Sequence, residues 1–257
     1  MLKLASIVAI LLVPSLSLAA EGAAATAETA APLDYQAWHA HNDVGNLSSL
    51  QRGARNFMNY CVGCHSLKYL RYSRLGTDLK IPDKEVQEYL LGPGETVGDY
   101  ITTSLKPADG IAWFGKQPPD LSLIVRAREG SDYVYRFLKT FYIDPTRPTR
   151  TNNLMLANAA MPAVLSELQG VQEAVFKDAV VDGANTKVFD HFVLATPGQM
   201  TPAEYDDFVR DTVNFLDYAS EPAQVSREFI GKWVVFFMLA LTWMAWLLKK
   251  EYWKDVH

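Results

Sequence analysis

Cysteine is almost missing from this chain: there are two in 257 residues. A disulfide-dense secreted scaffold is therefore excluded. Cationic excess is missing too, with 24 Lys+Arg against 29 Asp+Glu and a net charge of −5, so a general nucleic-acid binder has no electrostatic basis. Glycine (15) and proline (13) are too few for a collagen-like or low-complexity chain, and 21% charged residues beside 49% apolar ones exclude intrinsic disorder. Long apolar runs are confined to the two ends. What remains is enough chain and apolar mass for one large domain or two small ones.

The two apolar ends differ in kind. Residues 1–20 (MLKLASIVAILLVPSLSLAA) place Lys3 before an apolar run from Ala5 to Val13, then small residues up to Ala20. This is the pattern of a cleaved export signal, with cleavage after Ala19 or Ala20, and Pro14 makes the run too short to span a bilayer. Residues 229–248 (FIGKWVVFFMLALTWMAWLL) carry one charge, Lys232, which can snorkel. At about 1.5 Å per residue a helix of this length is about 30 Å, the thickness of a bilayer core. Trp233, Trp246, Tyr252 and Trp253 sit where interfacial aromatics sit, and Lys249, Lys250 and Lys254 predict a cytoplasmic C-terminus.

The expected organisation is a signal peptide (1–20), an N-terminal extension (21–47), a periplasmic domain (48–222), a linker (223–228), a transmembrane anchor (229–248) and a cytoplasmic tail (249–257). The expected location is a membrane, with lipid around the anchor and residues 21–228 outside the cytoplasm. Residues 21–228 hold 19 Lys+Arg and 27 Asp+Glu. So acidic a domain favours basic protein partners, with Glu85, Glu88, Glu95 and Glu167 as candidates for steering them.

Within the exported part the pattern is mainly helical with long loops. Ser48 or Ser49 is expected to cap a helix over about 50–60, with Leu50, Ala54, Phe57 and Met58 at helical spacing. Short helices are predicted over 84–91 and 97–105, over 121–128 with Asp120 as N-cap, and over 132–141. Residues 145–162 read as an extended loop. Residues 171–194 read as two short strands around Asp182-Gly183, with a helix as the alternative for the first part. Thr201-Pro202-Ala203-Glu204 is a capping box with Pro at its first helical position, opening a helix through Phe208, Val209, Val213, Phe215 and Leu216.

Both cysteines lie in Cys61-Val62-Gly63-Cys64-His65. C-x-x-C-H is the attachment signature of a c-type haem: two thiols three positions apart can each add to a vinyl group of one porphyrin, and the next residue offers an imidazole to the iron. A thioredoxin-like redox pair would need a strand before the motif, where a helix is predicted, and a zinc site would need ligands beyond these two cysteines. One motif means one covalently bound haem c. The second axial ligand decides the chemistry, since methionine favours electron transfer and an open position favours gas or peroxide chemistry. Candidates are Met155, Met161, Met200 and His191. Met200 is explained as the hydrophobic staple of the capping box, and His191 as a core histidine in an apolar strand. Met155 sits between Leu154 and Leu156, which suggests packing. Met161 has small neighbours, Ala159 and Ala160, that allow close approach to a porphyrin, and Pro162 stiffens its loop.

The sequence resembles the cytochrome c1 family, the haem subunits of cytochrome bc1 complexes, in bacterial form. The resemblance rests on LQRGARNFMNYCVGCHSLKYLRY (50–72), PPDLSLIVRAREGSDYVYRFL (118–138), AAMPAVLSELQG (159–170), TPAEYDDFVRDTVNFLDYASEP (201–222) and the single C-terminal anchor. It implies a mainly α, class I c-type fold with long loops and a small β-hairpin, in which the helix before Cys61 packs on the helix from Pro202. It implies His65 and Met161 as iron ligands, Pro118 and Pro119 on the haem face, and Arg128 and Tyr133 near a haem propionate. Arg126 is expected on a solvated helix face. The segment Ile111-Ala112-Trp113-Phe114-Gly115 departs from mitochondrial forms, with Trp113 expected only to shield the haem. The implied function is passage of single electrons from a Rieske iron–sulfur subunit to a cytochrome c, alongside a cytochrome b subunit, with no catalytic residues of its own. A free-standing anchored cytochrome c feeding an oxidase, or a haem gas sensor or peroxidatic protein, is the alternative.

Overall fold

A computed structural model describes residues 34–127, 129–181 and 184–255. The expected export signal (1–20), the leader 21–33, Arg128 and Asp182-Gly183 lie outside the described residues. Helix α1 (Leu47–Tyr60) ends at the C-x-x-C-H motif. Strand β1 (Leu67–Arg71), α2 (Tyr72–Leu79), α3 (Asp83–Glu85), a π-helical turn (Val86–Leu90) and β2 (Tyr100–Ile101) follow. Then come α4 (Pro107–Phe114), α5 (Ile124–Ala127), α6 (Ser131–Lys139), β3 (Phe141–Ile143), β4 (Thr151–Asn153), α7 (Ser166–Gln169), β5 (Gly170–Val181) and β6 (Ala184–Pro197), and the long α8 (Pro202–Ser220) and α9 (Gln224–Tyr252).

The core forms where α1 crosses α8. Apolar residues at helical spacing put Leu50, Ala54 and Phe57 of α1 against Val209, Val213 and Phe215 of α8, all buried. The Phe57 and Phe215 rings meet at 5.8 Å. Gly53 makes the close approach possible. A Cβ there would overlap the backbone oxygen of Asp211 and come within 2.6 Å of Phe215 Cβ. Asn56, buried at the crossing, is paired, as burial requires. Asn56 Nδ2 donates to the Phe208 carbonyl (3.2 Å) and Thr212 Oγ1 (3.1 Å), and Arg52 forks onto the Asp211 carboxylate at 2.5 and 2.9 Å.

The capping box is present as predicted: Thr201 Oγ1 accepts from Glu204 N, and Glu204 accepts from Thr201 N at 2.8 Å. The antiparallel hairpin β5–β6 is also present, longer than expected, running from Gly170↔Pro197 to Val181↔Ala184. Its base follows α7 directly, and Tyr142 of β3 packs edge-on against Phe176 of β5.

Several local expectations are corrected. Asn46, not Ser48 or Ser49, caps α1, accepting from Ser49 N (3.2 Å), while Ser49 is buried and its hydroxyl accepts from Asn214. Residues 97–105 form no helix: Asp99 folds back to accept from Thr96 N and Oγ1 (2.7 and 2.9 Å), and the chain then pairs as β2 with β1. The helix expected over 121–128 begins only at Ile124, because Asp120 binds Ser122 N and also Lys68 N of β1 (both 3.0 Å). The pattern over 84–91 divides into α3 and the π-helical turn. The loop 145–162 contains β4, paired with β3. His191 is no core residue; it is 41% exposed on the hairpin, with Nδ1 2.8 Å from Asp190.

Residues 38–46 lie along α6 and α8 and are tied down by polar bonds. Asp132 accepts from Ala40 N (2.7 Å), and Arg210 donates to the carbonyls of His39 and Ala40. Helix α9 includes the whole apolar run 229–248, is long and apolar enough to cross a membrane, and buries none of its residues.

Candidate functional site

The C-x-x-C-H motif continues α1 as a tight turn. Cys61 N donates to the Phe57 carbonyl (2.9 Å), and Cys64 N and His65 N both donate to the Cys61 carbonyl (3.1 and 2.9 Å). Thr103, from the chain following β2, pins this turn by donating its hydroxyl to the Gly63 carbonyl (2.8 Å). Cys61 and Cys64 are not joined to each other by a disulfide. Burial, reinforced by Cys64, pushes the Cys61 thiol up to about 12.

His65 is oriented by the Pro-Pro loop. Its Nδ1 lies 2.7 Å from the Pro119 carbonyl, which can only accept, so Nδ1 carries the proton and Nε2 keeps its lone pair. Burial lowers the pKa of the imidazole, outweighing the Pro119 bond and nearby Asp120, so the ring is neutral near pH 7. The Pro119 carbonyl is itself held in place. Leu121 N donates to the Ser66 carbonyl (2.9 Å), Lys68 N to Asp120 (3.0 Å) and Tyr69 N to Ser122 Oγ (3.2 Å), stitching 120–122 to β1. That is why an Asp and a Ser follow the prolines.

Two adjoining cavities of about 180 and about 100 Å³ open beside the motif and share Cys61, His65, Lys116, Pro119, Leu138, Ala160 and Met161. Cys64 and Pro118 line the smaller one; Tyr133, its ring stacked on Phe137 at 6.2 Å, lines the larger. Of the four candidate axial ligands, Met161 alone lines these cavities. Met155 N and Met200 N donate to Asn153 Oδ1 and the Leu168 carbonyl. Two thiols, a neutral imidazole and a thioether around an apolar slot are the donor set that fits a covalently attached porphyrin iron.

Other expectations resolve differently. Arg126 is not merely solvated; it pairs with Glu221, which Arg227 also binds at 2.6 Å. Trp113 is 68% exposed and does not line the slot, whereas its neighbour Phe114 does. Glu95 is a structural carboxylate, accepting from Tyr72 OH (2.7 Å) and Gly92 N (2.8 Å). Sequence reasoning misses Phe114 and Lys116 because it misses α4, although Pro107 at the helix start and Gly115 just past its end are a legible pair of helix signals. Leu138 and Leu216 reach the slot from α6 and α8, and nothing in their local sequence distinguishes them from ordinary core residues.

The sequence model of the Cytochrome C1 family matches residues 38–256. The chain is 48% identical over 218 residues to a cytochrome c1 of Allochromatium vinosum, covering 85% of this chain and 88% of that one. It is 38% identical over 215 residues to a protein named ammonia monooxygenase gamma subunit in Nitrosomonas europaea, covering 84% and 86%. A cytochrome c1 of Rhodospirillum rubrum is 29% identical over 260 residues, covering 93% and 94%.

Proposed function

The chain belongs to the cytochrome c1 family, and on that premise we propose that it passes electrons singly from a Rieske iron–sulfur subunit to a cytochrome c, beside a cytochrome b subunit. It is a membrane-anchored, haem-carrying electron-transfer subunit of the bc1 complex, with one covalently bound c-type haem, and not an enzyme on its own. The haem supplies a one-electron ferric/ferrous couple. Cys61 and Cys64 tether it, His65 ligates through Nε2, and Met161 supplies the second axial ligand. Pro118 and Pro119 cover one face and fix the imidazole. Tyr133 and Arg128 serve the propionates. Residues 1–20 direct export and are removed, 48–222 form the periplasmic haem domain, 229–248 cross the inner membrane, and 249–257 remain in the cytoplasm.

One observation carries the ligand assignment: Met161, and none of Met155, Met200 or His191, lines the slot with His65. Absorption spectra of the detergent-purified complex test it through the far-red band of sulfur–iron ligation. Met161→Leu is expected to abolish that band, lower the reduction potential and admit carbon monoxide to the reduced haem. An unchanged spectrum would put the ligand elsewhere and remove Met161 from the site.

A further inference from the structure

A c-type haem carries two carboxylates, and a carboxylate placed against an apolar wall without a counter-charge is costly. Among the described residues lining the two cavities, a single one is a Lys, Arg, Asp or Glu: Lys116, which lines both. Helix α4 delivers it there. The helix presents Phe114 to the slot, stops at Gly115, and the left-handed conformation of Gly115 (φ +78°) turns the chain so that Lys116 sits at the slot as well. A side chain with a Cβ would be strained at that angle.

The ammonium is uncommitted. Lys116 is exposed and has no hydrogen bond or ion pair among the described residues. Two cations close in sequence to slot-lining residues are engaged elsewhere: Lys139, next to Leu138, with Asp206, and Arg126, two residues after Ile124, with Glu221. An exposed lysine that lines an apolar slot suits an anionic group on a bound ligand.

We propose that Lys116 is a haem-binding residue, pairing its ammonium with a haem carboxylate at the mouth of the slot and holding the reduction potential up. The sign follows from charge. The reduced haem carries one more negative charge than the oxidised form, so a nearby fixed cation favours reduction, in a partly desolvated site more strongly than in water. The inference rests on the reading that Cys61, Cys64, His65 and Met161 hold the haem here.

Redox titration of the full chain in the purified complex tests it, with Lys116→Arg, Lys116→Met and Lys116→Glu beside the unmodified protein. The far-red band and covalent haem content are recorded on the same samples. With the band intact, Lys116→Met is expected to shift the reduction equilibrium about tenfold toward the oxidised haem, about 59 mV for one electron. Lys116→Glu shifts it further, and Lys116→Arg leaves it near the unmodified value. Structural damage would not produce that charge-ordered series. Equal potentials in all four proteins, whatever happens to the salt dependence of electron delivery, overturn the assignment of Lys116 and leave the ligand set standing. Covalent haem persisting in a Cys61→Ser, Cys64→Ser double variant overturns the ligand set itself, and with it the role of Lys116.

Discussion

Replacing a helical glycine by alanine ordinarily stabilises a protein by about 0.5–1 kcal/mol, since alanine is the better helix former. At Gly53 the structure reverses the sign. The added Cβ would overlap the Asp211 carbonyl oxygen and approach the Asp211 carbonyl carbon to 2.8 Å, and both belong to the backbone of α8, which cannot rotate away. Relief requires α1 and α8 to separate. Overpacking of this kind costs roughly 1–3 kcal/mol, and a backbone obstacle places it toward the upper end. After subtracting the propensity gain, a net loss of about 1–2 kcal/mol remains. For a domain of this size, at about 2–4 °C per kcal/mol, the melting midpoint should fall by about 2–8 °C. Gly76 of α2 is the internal control, because its added Cβ would meet chiefly the end of a side chain, Asp83 Oδ1 at 2.9 Å, which can move. Thermal unfolding of the purified protein, followed by circular dichroism, compares the two. Gly53→Ala is expected to lower the midpoint and Gly76→Ala to hold or raise it. A Gly53→Ala protein as stable as its parent would refute the claim that the α1–α8 approach depends on this residue.

Two further outcomes follow from groups away from the slot. Burial alone would raise the pKa of Asp206, but hydrogen bonds from Lys139, Tyr135 and Arg210 outweigh it and hold the carboxyl down to about 2. With the folded value below the ordinary 3.8, its contribution to stability is full above about pH 4 and is lost as pH falls through 2. Asp206→Asn should therefore lower the melting midpoint at pH 7 and flatten its decline between about pH 4 and pH 2, and an unaltered acid profile would contradict this. Glu95→Ala leaves the hydroxyl of Tyr72 without its acceptor and should cost about 1–3 kcal/mol, with no change in the salt dependence of electron delivery to a basic cytochrome c. A salt effect matching that of Glu85→Gln would instead return Glu95 to the docking surface.

Features that depend on residues close together in the chain are legible in the amino-acid sequence itself. The C-x-x-C-H motif needs only its own spacing to bring both thiols to one turn and offer an imidazole beside them. Thr201 and Glu204 stabilise a helix start by bonding to each other's backbone. Twenty apolar residues followed by lysines specify an anchor because the bilayer selects on length and charge alone. Met161 is also within reach, through its small neighbours and the family resemblance.

Other features depend on residues far apart, which local patterns do not relate. A short polar-rich stretch such as 97–105 has no strong preference of its own, and pairing with β1 converts part of it into a strand. Ser49 looks like a helix cap in sequence but is spent inside the α1–α8 contact, so Asn46 takes that place. Acidic residues that look alike in sequence separate once their partners are known: Glu95 holds Tyr72, and Asp120 holds β1 and, through it, the Pro119 carbonyl on His65. The sequence by itself determined the cofactor chemistry, the anchor and the main helices, because each is encoded within a few turns of chain. Only the tertiary structure decided why position 53 is glycine and that, among the described residues, the one charge lining the slot is Lys116, because packing between distant segments sets both.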